Sequence, residues 1–291
     1  MAGRVAGKIA VVTGANAGIG FETAKELCLQ GGQVLLLCRN EERANAAIDR
    51  MTSEGCSKDQ LKFVPCNLAS FKSVRECSAR ILKEFDRIDI LINNAGIGFG
   101  DDFVVTEDGH EATWQSNHLG PFLLTQNLLP LVEKSPAGRI IFVSSRAHAR
   151  SERIDLGMID KEEHCSRWFT YPRTKLANVL TTRELSRRLQ AKEGNKVTVN
   201  ALHPGVVATD LIYKHPLMRN WPMQYLMSWF MKSEAEGAAT SLHLAMSPDV
   251  EGKTAGYYCD CALTTEGALA RDEDACAELY EYSMNAVGLG Q

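Results

Sequence analysis

At 291 residues, with 45% hydrophobic and 23% charged side chains, the chain has the balance of a folded water-soluble protein and excludes a disordered or membrane-spanning one. Its net charge of −4, with both signs dispersed, excludes the basic footprint of a nucleic-acid binder. Nine cysteines scattered from Cys28 to Cys276, mostly inside apolar runs such as VLLLC, read as reduced residues of a reducing compartment, and the one close pair, Cys259–Cys261, is too little for a metal site.

Short β-branched runs alternate with longer amphipathic ones, the pattern of a parallel sheet covered by helices. The first strand is read at 9–13 (IAVVT), followed by a glycine-rich turn and a helix that Gly31-Gly32 stops. QVLLLC (33–38), LKFVP (61–65) and IDILIN (88–93) are the next strands, separated by helices over about 41–53 and 70–85. One long helix is expected over 110–134, with Pro121 early in it. RIIFVS (139–144), nearly continuous in its apolar character, suits a strand buried on both faces. A polar, irregular connection over 146–169 has the length of a functional loop. Then come a helix from Tyr171 to Ala191, a strand at 197–202, a helix over 233–246, a last strand at 256–259 and a final helix near 272–286. No linker or repeat separates these elements, so the expectation is one domain over 1–291: a doubly wound, Rossmann-like parallel sheet with helices on both faces. The stretch Leu217–Met231 contains Arg219, Asn220 and Pro222 within 15 residues, too short and too interrupted to span a bilayer. Its methionines and tryptophans suit either core or an apolar lid near 210–232 over a substrate.

Four places carry candidate chemistry. TGANAGIG (13–20) joins a strand to a helix, where Gly14, Gly18 and Gly20 let backbone approach a pyrophosphate at the helix N-terminus. At the end of the second strand stands Arg39, where an NAD site would carry an acid; a guanidinium suits the 2′-phosphate of NADP(H). In YPRTK, Tyr171 and Lys175 lie four apart at a helix start and share a face, so the ammonium is expected to lower the phenol's pKa. Ser144-Ser145 ends a buried strand, on the side where open α/β sheets bind ligands.

TGANAGIG, NNAG (93–96), Asn117 in NHLG, Ser145, YPRTK and HPG (203–205) occur in the order and spacing of the short-chain dehydrogenase/reductase family, which the chain resembles from about residue 8 to 260. NHLGPFLLT, VSSRAH, KLANVLTTREL and HPGVV look more narrowly like its retinol-dehydrogenase-like branch, whose members act on retinoids and other lipophilic carbonyls with NADP(H). The resemblance implies a tetrad of Asn117, Ser145, Tyr171 and Lys175. Tyr171 would exchange a proton with the substrate oxygen and Ser145 would hydrogen-bond it. Lys175 would lower the tyrosine pKa and bind the nicotinamide ribose, and Asn117 would anchor a proton-relaying water. It also implies cofactor contacts from Gly14, Asn16, Gly18, Ile19, Gly20, Arg39, Asn67, Leu68, Asn94, Val207 and Thr209, besides Tyr171 and Lys175, with no metal.

Asn67 stands where the family usually has Asp beside the adenine, and Thr174 replaces a more frequent Ser. The hydrophobic N-terminal anchor of several retinol dehydrogenases is absent, so cytoplasmic residence is expected, with peripheral membrane association left open. His148, His164 and His203 are read as surface or supporting residues. The expected activity is interconversion of a lipophilic alcohol with its aldehyde or ketone. The partners are small molecules and, as an option, a second copy in a homodimer. The rival readings are a broad carbonyl reductase without retinoid preference and a non-catalytic NADP(H)-binding interaction protein.

Overall fold

The computed structural model describes residues 3–98, 103–166, 168–207 and 231–290. Their sheet has eight strands in the order β3-β2-β1-β4-β5-β6-β7-β8. These are β1 Ile9–Thr13, β2 Gln33–Cys38, β3 Leu61–Pro65, β4 Ile90–Asn93, β5 Arg139–Val143, β6 Thr198–His203, β7 Tyr257–Cys259 and β8 Ala262–Thr264. The first seven run parallel; β8 turns back antiparallel on β7.

Strands buried on both faces explain the uninterrupted apolar runs. In β2, Val34 and Leu36 point into one core and Leu35 and Leu37 into the other. The first core is closed by α1 (Gly18–Leu29), α2 (Glu41–Ser53) and α7 (Glu234–Met246) through residues such as Phe21, Met51 and Leu244. The second is closed by α3 (Phe71–Glu84), α5 (Gly120–Val132), α6 (Thr170–Gln190) and α8 (Glu273–Ala286), through Val74, Phe122, Leu176 and Leu279. Caps set where several helices begin. Asn40 accepts from the Arg43 amide at 2.8 Å, Asp272 from the Ala275 amide at 3.0 Å, and Ser233 with Glu236 forms a capping box.

Two expectations are corrected. The helix predicted over 110–134 is broken into α4 (Ala112–Trp114), a π-turn Gln115–Leu119 and α5. Pro121 has no N–H for the carbonyl four residues back, that of Asn117, and the Gly120 amide reaches to the Gln115 carbonyl instead. The antiparallel β8 was not predicted. It is fully exposed and follows a two-residue turn in which Asp260 (φ 52°) and Cys261 (φ 62°) are both left-handed, the requirement of a tight hairpin. The lid expected at 210–232 and the Thr209 contact fall almost wholly outside the described residues. The chain on either side is joined by a Val207–Lys232 bridge, with the Lys232 amide donating to the Val206 carbonyl at 2.8 Å. Among the described residues no helix is long and apolar enough to cross a membrane.

His118, in the π-turn, is 1% exposed and donates through Nε2 to Ser283 on α8 at 2.8 Å. Burial pushes its pKa from 6.5 down to about 3. The unfolded chain therefore takes up a proton below pH 6.5 that the fold refuses, and stability falls as pH falls. The expected slope is about 1.4 kcal/mol per pH unit from this residue. Unfolding free energies from urea titrations below pH 6.5 should fall less steeply, by up to that amount, in His118→Gln.

Candidate active site

Strand order reverses between β1 and β4, so the chain leaves these two neighbours in opposite directions and opens a crevice at their carboxyl ends. Thr13 holds the crevice floor. Its hydroxyl accepts from the Asn94 and Ala95 amides at 2.9 Å each, while the Asn94 side chain donates to the Thr13 carbonyl at 2.9 Å. The glycine turn folds over this knot. Gly14 (φ 65°) and Gly18 (φ 58°) are left-handed, and a Cβ on Gly20 would lie 2.3 Å from the Gly14 carbonyl oxygen and 2.4 Å from Asn94 Nδ2. Unlike α2, α3, α7 and α8, helix α1 has neither a side-chain cap nor an acidic residue in its first turn. Its open amides and dipole face a cleft of about 560 Å³, which fits a pyrophosphate.

That cleft brings together most of the residues expected to hold a cofactor: Gly14, Asn16, Gly18, Ile19, Gly20, Arg39, Asn67, Leu68, Asn94, Tyr171 and Lys175. Arg39 follows β2, is exposed, and makes no ion pair among the described residues. Asn67 has partly spent its amide oxygen on the Ala69 N–H at 3.2 Å, which leaves its second lone pair for a ligand. Val207 is buried and is not among the residues lining the cleft; a Cβ on Gly237 would lie 2.6 Å from its side chain and 3.1 Å from that of Ile19.

The expected tetrad converges at the end of β5. Ser144 is used structurally, its hydroxyl donating to the Lys175 carbonyl at 2.7 Å. Ser145 accepts from the Ala147 amide at 3.2 Å, and its hydroxyl is near enough to the Tyr171 phenol to favour the ionised form of that group. Lys175 Nζ lies 5.5 Å from the Tyr171 ring centre and donates to the Val143 carbonyl at 2.9 Å. Asn117 is clamped to the backbone of Ile97, accepting from its amide at 2.7 Å and donating to its carbonyl at 2.6 Å. Gly96 makes room for both: a Cβ there would sit 3.3 Å from Lys175 Nζ and 3.5 Å from Asn117 Oδ1.

The ionisation differs from the sequence expectation. Tyr171 and Lys175 are 7% and 4% exposed. Burial pushes the phenol up to about 12, against the opposing hydrogen bond from Ser145, and the same burial lowers Lys175 to about 8. In this environment desolvation outweighs any lowering by the ammonium. The pair is a protonated phenol beside a cation that releases its proton readily.

Sequence reasoning passed over Thr13, Gly96 and Ile97, which arrange the others. Thr13 and Gly96 adjoin residues already singled out, in the TGANAGIG and NNAG motifs, but their work depends on cross-strand contacts. The histidines are not on the surface as a group. His148 and His203 are buried, and His203 is lowered to about 4, chiefly by burial. Among the described residues no group of three or more His, Cys, Asp or Glu could hold a metal ion, and the cysteines are free.

The short chain dehydrogenase family model matches residues 8–219. Retinol dehydrogenase 14 of Mus musculus is 42% identical over 99% of this chain and 88% of its own length. Retinol dehydrogenase 11 of Homo sapiens is 38% identical over 97% of this chain and 86% of its own. A short chain dehydrogenase of Shigella flexneri, solved complexed with NADP, superposes with a TM-score of 0.70 at 25% identity, covering 90% of this chain and 100% of that one. The chain belongs to the short-chain dehydrogenase family of nicotinamide-dependent oxidoreductases, in its retinol-dehydrogenase-like branch.

Proposed function

We propose that this protein is an NADP(H)-dependent oxidoreductase that interconverts a lipophilic, retinoid-like alcohol with its aldehyde or ketone. The observation that carries the reading is the pairing of the Ser145 and Tyr171 hydroxyls at the end of β5, with Lys175 buried beside them and Tyr171, Lys175 and Arg39 lining one cleft. The retinol dehydrogenase relatives support the substrate class, and the NADP complex of a structural neighbour supports the cofactor.

The nicotinamide, when bound, supplies or accepts the hydride. In reduction Tyr171 donates its phenolic proton to the substrate oxygen, and Ser145 donates a hydrogen bond to the same oxygen. The phenolate left behind is stabilised by the Lys175 ammonium. Asn117, held by Ile97, fixes the wall behind Lys175. The glycine turn and the uncapped α1 would hold the pyrophosphate, Asn67 and Leu68 the adenine side, and Arg39 a 2′-phosphate. A phenol held near 12 is protonated at neutral pH, which makes the site ready for carbonyl reduction.

Replacing Tyr171 with Phe should lower turnover of retinal with NADPH by about 10²–10⁴-fold, the usual worth of a general acid, with the NADPH dissociation constant nearly unchanged. Turnover within a few-fold of wild type would remove the tyrosine from the mechanism, and absence of turnover in wild type would favour the non-catalytic rival. A panel of retinal, a steroid ketone, a quinone and an aliphatic aldehyde separates retinoid preference from broad carbonyl reduction.

Cofactor choice has a definite sign. A charge-assisted hydrogen bond contributes about 1.5–3 kcal/mol, and the exposure of Arg39 places the effect at the low end. Wild type should bind NADPH roughly tenfold more tightly than NADH, and Arg39→Asp should reverse the order, since a carboxylate repels the phosphate and accepts from ribose hydroxyls. Equal wild-type affinities would show that Arg39 plays no such part.

The pH profiles should split by direction. Alcohol oxidation needs the phenolate, so its rate should climb with pH across the neutral range, below a phenol held near 12. Carbonyl reduction should stay level at neutral pH and decline as pH rises through about 8, where Lys175 loses its charge. Stopped-flow hydride-transfer rates from pH 6 to 9 test this, and parallel profiles in both directions would contradict it.

A further inference from the structure

His148 lies one helical turn beyond Ser145, in the 3₁₀ segment Arg146–Arg150, and is 3% exposed. Both ring nitrogens are engaged. Nδ1 donates to the Ser145 carbonyl at 2.7 Å, and Nε2 accepts from the Gly267 amide at 2.9 Å. A carbonyl can only accept and an amide N–H can only donate, so the ring is held as the neutral Nδ1–H tautomer. Its face is fixed by the edge of Tyr257 on β7, with ring centres 4.7 Å apart. Gly267 is packed closely against the same segment, where a Cβ would fall 3.0 Å from Ala149 Cα. Burial favours the neutral ring, and the nearby Glu266, which would favour the charged one, is bound by Arg183 at 2.7 Å. Arg146 and His203 are the other charged or titratable groups close to it.

We propose that His148 is a positioning residue: a tautomer-fixed strut that sets the Ser145 backbone, and through it the Ser145 hydroxyl, against Tyr171 by tying them to Gly267. Among the described residues nothing else ties the Ser145 carbonyl to a segment outside its own turn; its other partner there is the His148 amide, at 3.0 Å. The inference rests on the oxidoreductase reading above for its catalytic consequence, but the strut itself can be tested without turnover.

Two near-isosteres divide the two bonds. The Asn amide nitrogen reproduces Nδ1 and can keep the bond to Ser145; the Gln amide oxygen reproduces Nε2 and can keep the bond to Gly267. In retinal reduction, His148→Gln should lose about 10²-fold in kcat, the cost of a misplacement near 1 Å, with KM for NADPH within about twofold. His148→Asn, which releases the Gly267 end of the same tie, should lose about as much, and both variants lower the melting temperature. Wild-type kcat in either variant would overturn the strut. Nitrogen-15 spectra of the wild-type imidazoles at pH 7 give the independent readout. The His148 ring should show the neutral Nδ1–H form, and an Nε2–H or protonated ring overturns the proposal even if no variant folds. Absence of retinal turnover in wild type would count against the oxidoreductase reading, while the spectra still decide the strut.

Discussion

The knot between Thr13 and Asn94 is the contact on which the rest of the cleft depends. Parallel strands give no hairpin to bind their carboxyl ends, and at the β1–β4 reversal the chain departs toward opposite faces of the sheet. One threonine hydroxyl, accepting from two amides, and one asparagine amide close that gap. The glycine turn can then lie directly on the knot only because position 20 lacks a Cβ. Both ends of the cleft follow from this. The turn aims the uncapped α1 inward, and the strand leaving Asn94 delivers Gly96 and Ile97 to Lys175 and Asn117. A substitution at Thr13 would therefore be felt at the tyrosine as well as at the phosphate side.

Burial sets the ionisation of the site more strongly than the pairing of charges does. Tyr171 and Lys175 are separated from solvent on a helix whose residues are buried nearly all round, polar ones included. Such a helix tolerates burial by satisfying its own groups: the Thr174 and Thr182 hydroxyls donate back to carbonyls at 2.8 Å, and Glu184 meets Arg187 and Arg188 at 2.7 Å each. Desolvation then drives the phenol up and the ammonium down. Each is pushed toward its neutral form, so a phenolate left by a departing proton would be paired only while Lys175 keeps its own.

Much of this was legible in the chain, for reasons that differ by element. QVLLLC reads as a central strand because both faces are buried, and the read boundaries of β1, β2 and β3 match the structure. Short motifs at strand ends mark the residues expected to hold a cofactor, and the structure gathers eleven of them at one cleft. The exposed β8 carries no periodic signal, and its turn uses Asp260 and Cys261 where glycine or asparagine would have marked it. The break in the long helix was marked only by Pro121, which is equally at home in a helix's first turn. The phenol's shift ran opposite to expectation because the four-residue spacing to Lys175 reports proximity, and burial is not written in spacing. His148 was missed as a strut because its partner Gly267 is 119 residues away.

The C-terminal residues brace this site although none of them lines the cleft. Gly267 reaches Ser145 through His148, and Ser283 on α8 holds His118, the neighbour of Asn117 in the π-turn. Helix α8 is seated by apolar and aromatic contact: Leu279 is 2% exposed, the Tyr280 ring meets Phe122 edge-on at 5.0 Å, and Arg188 lies 4.1 Å above it. The ion pairs at its rim, such as Arg188 with Glu281, are exposed and add little. Apolar burial thus does the anchoring, and the outer face formed by α5 and α6 is occupied within the chain. Any self-association through that face would first have to displace α8, and with it the support of the turn that carries Asn117.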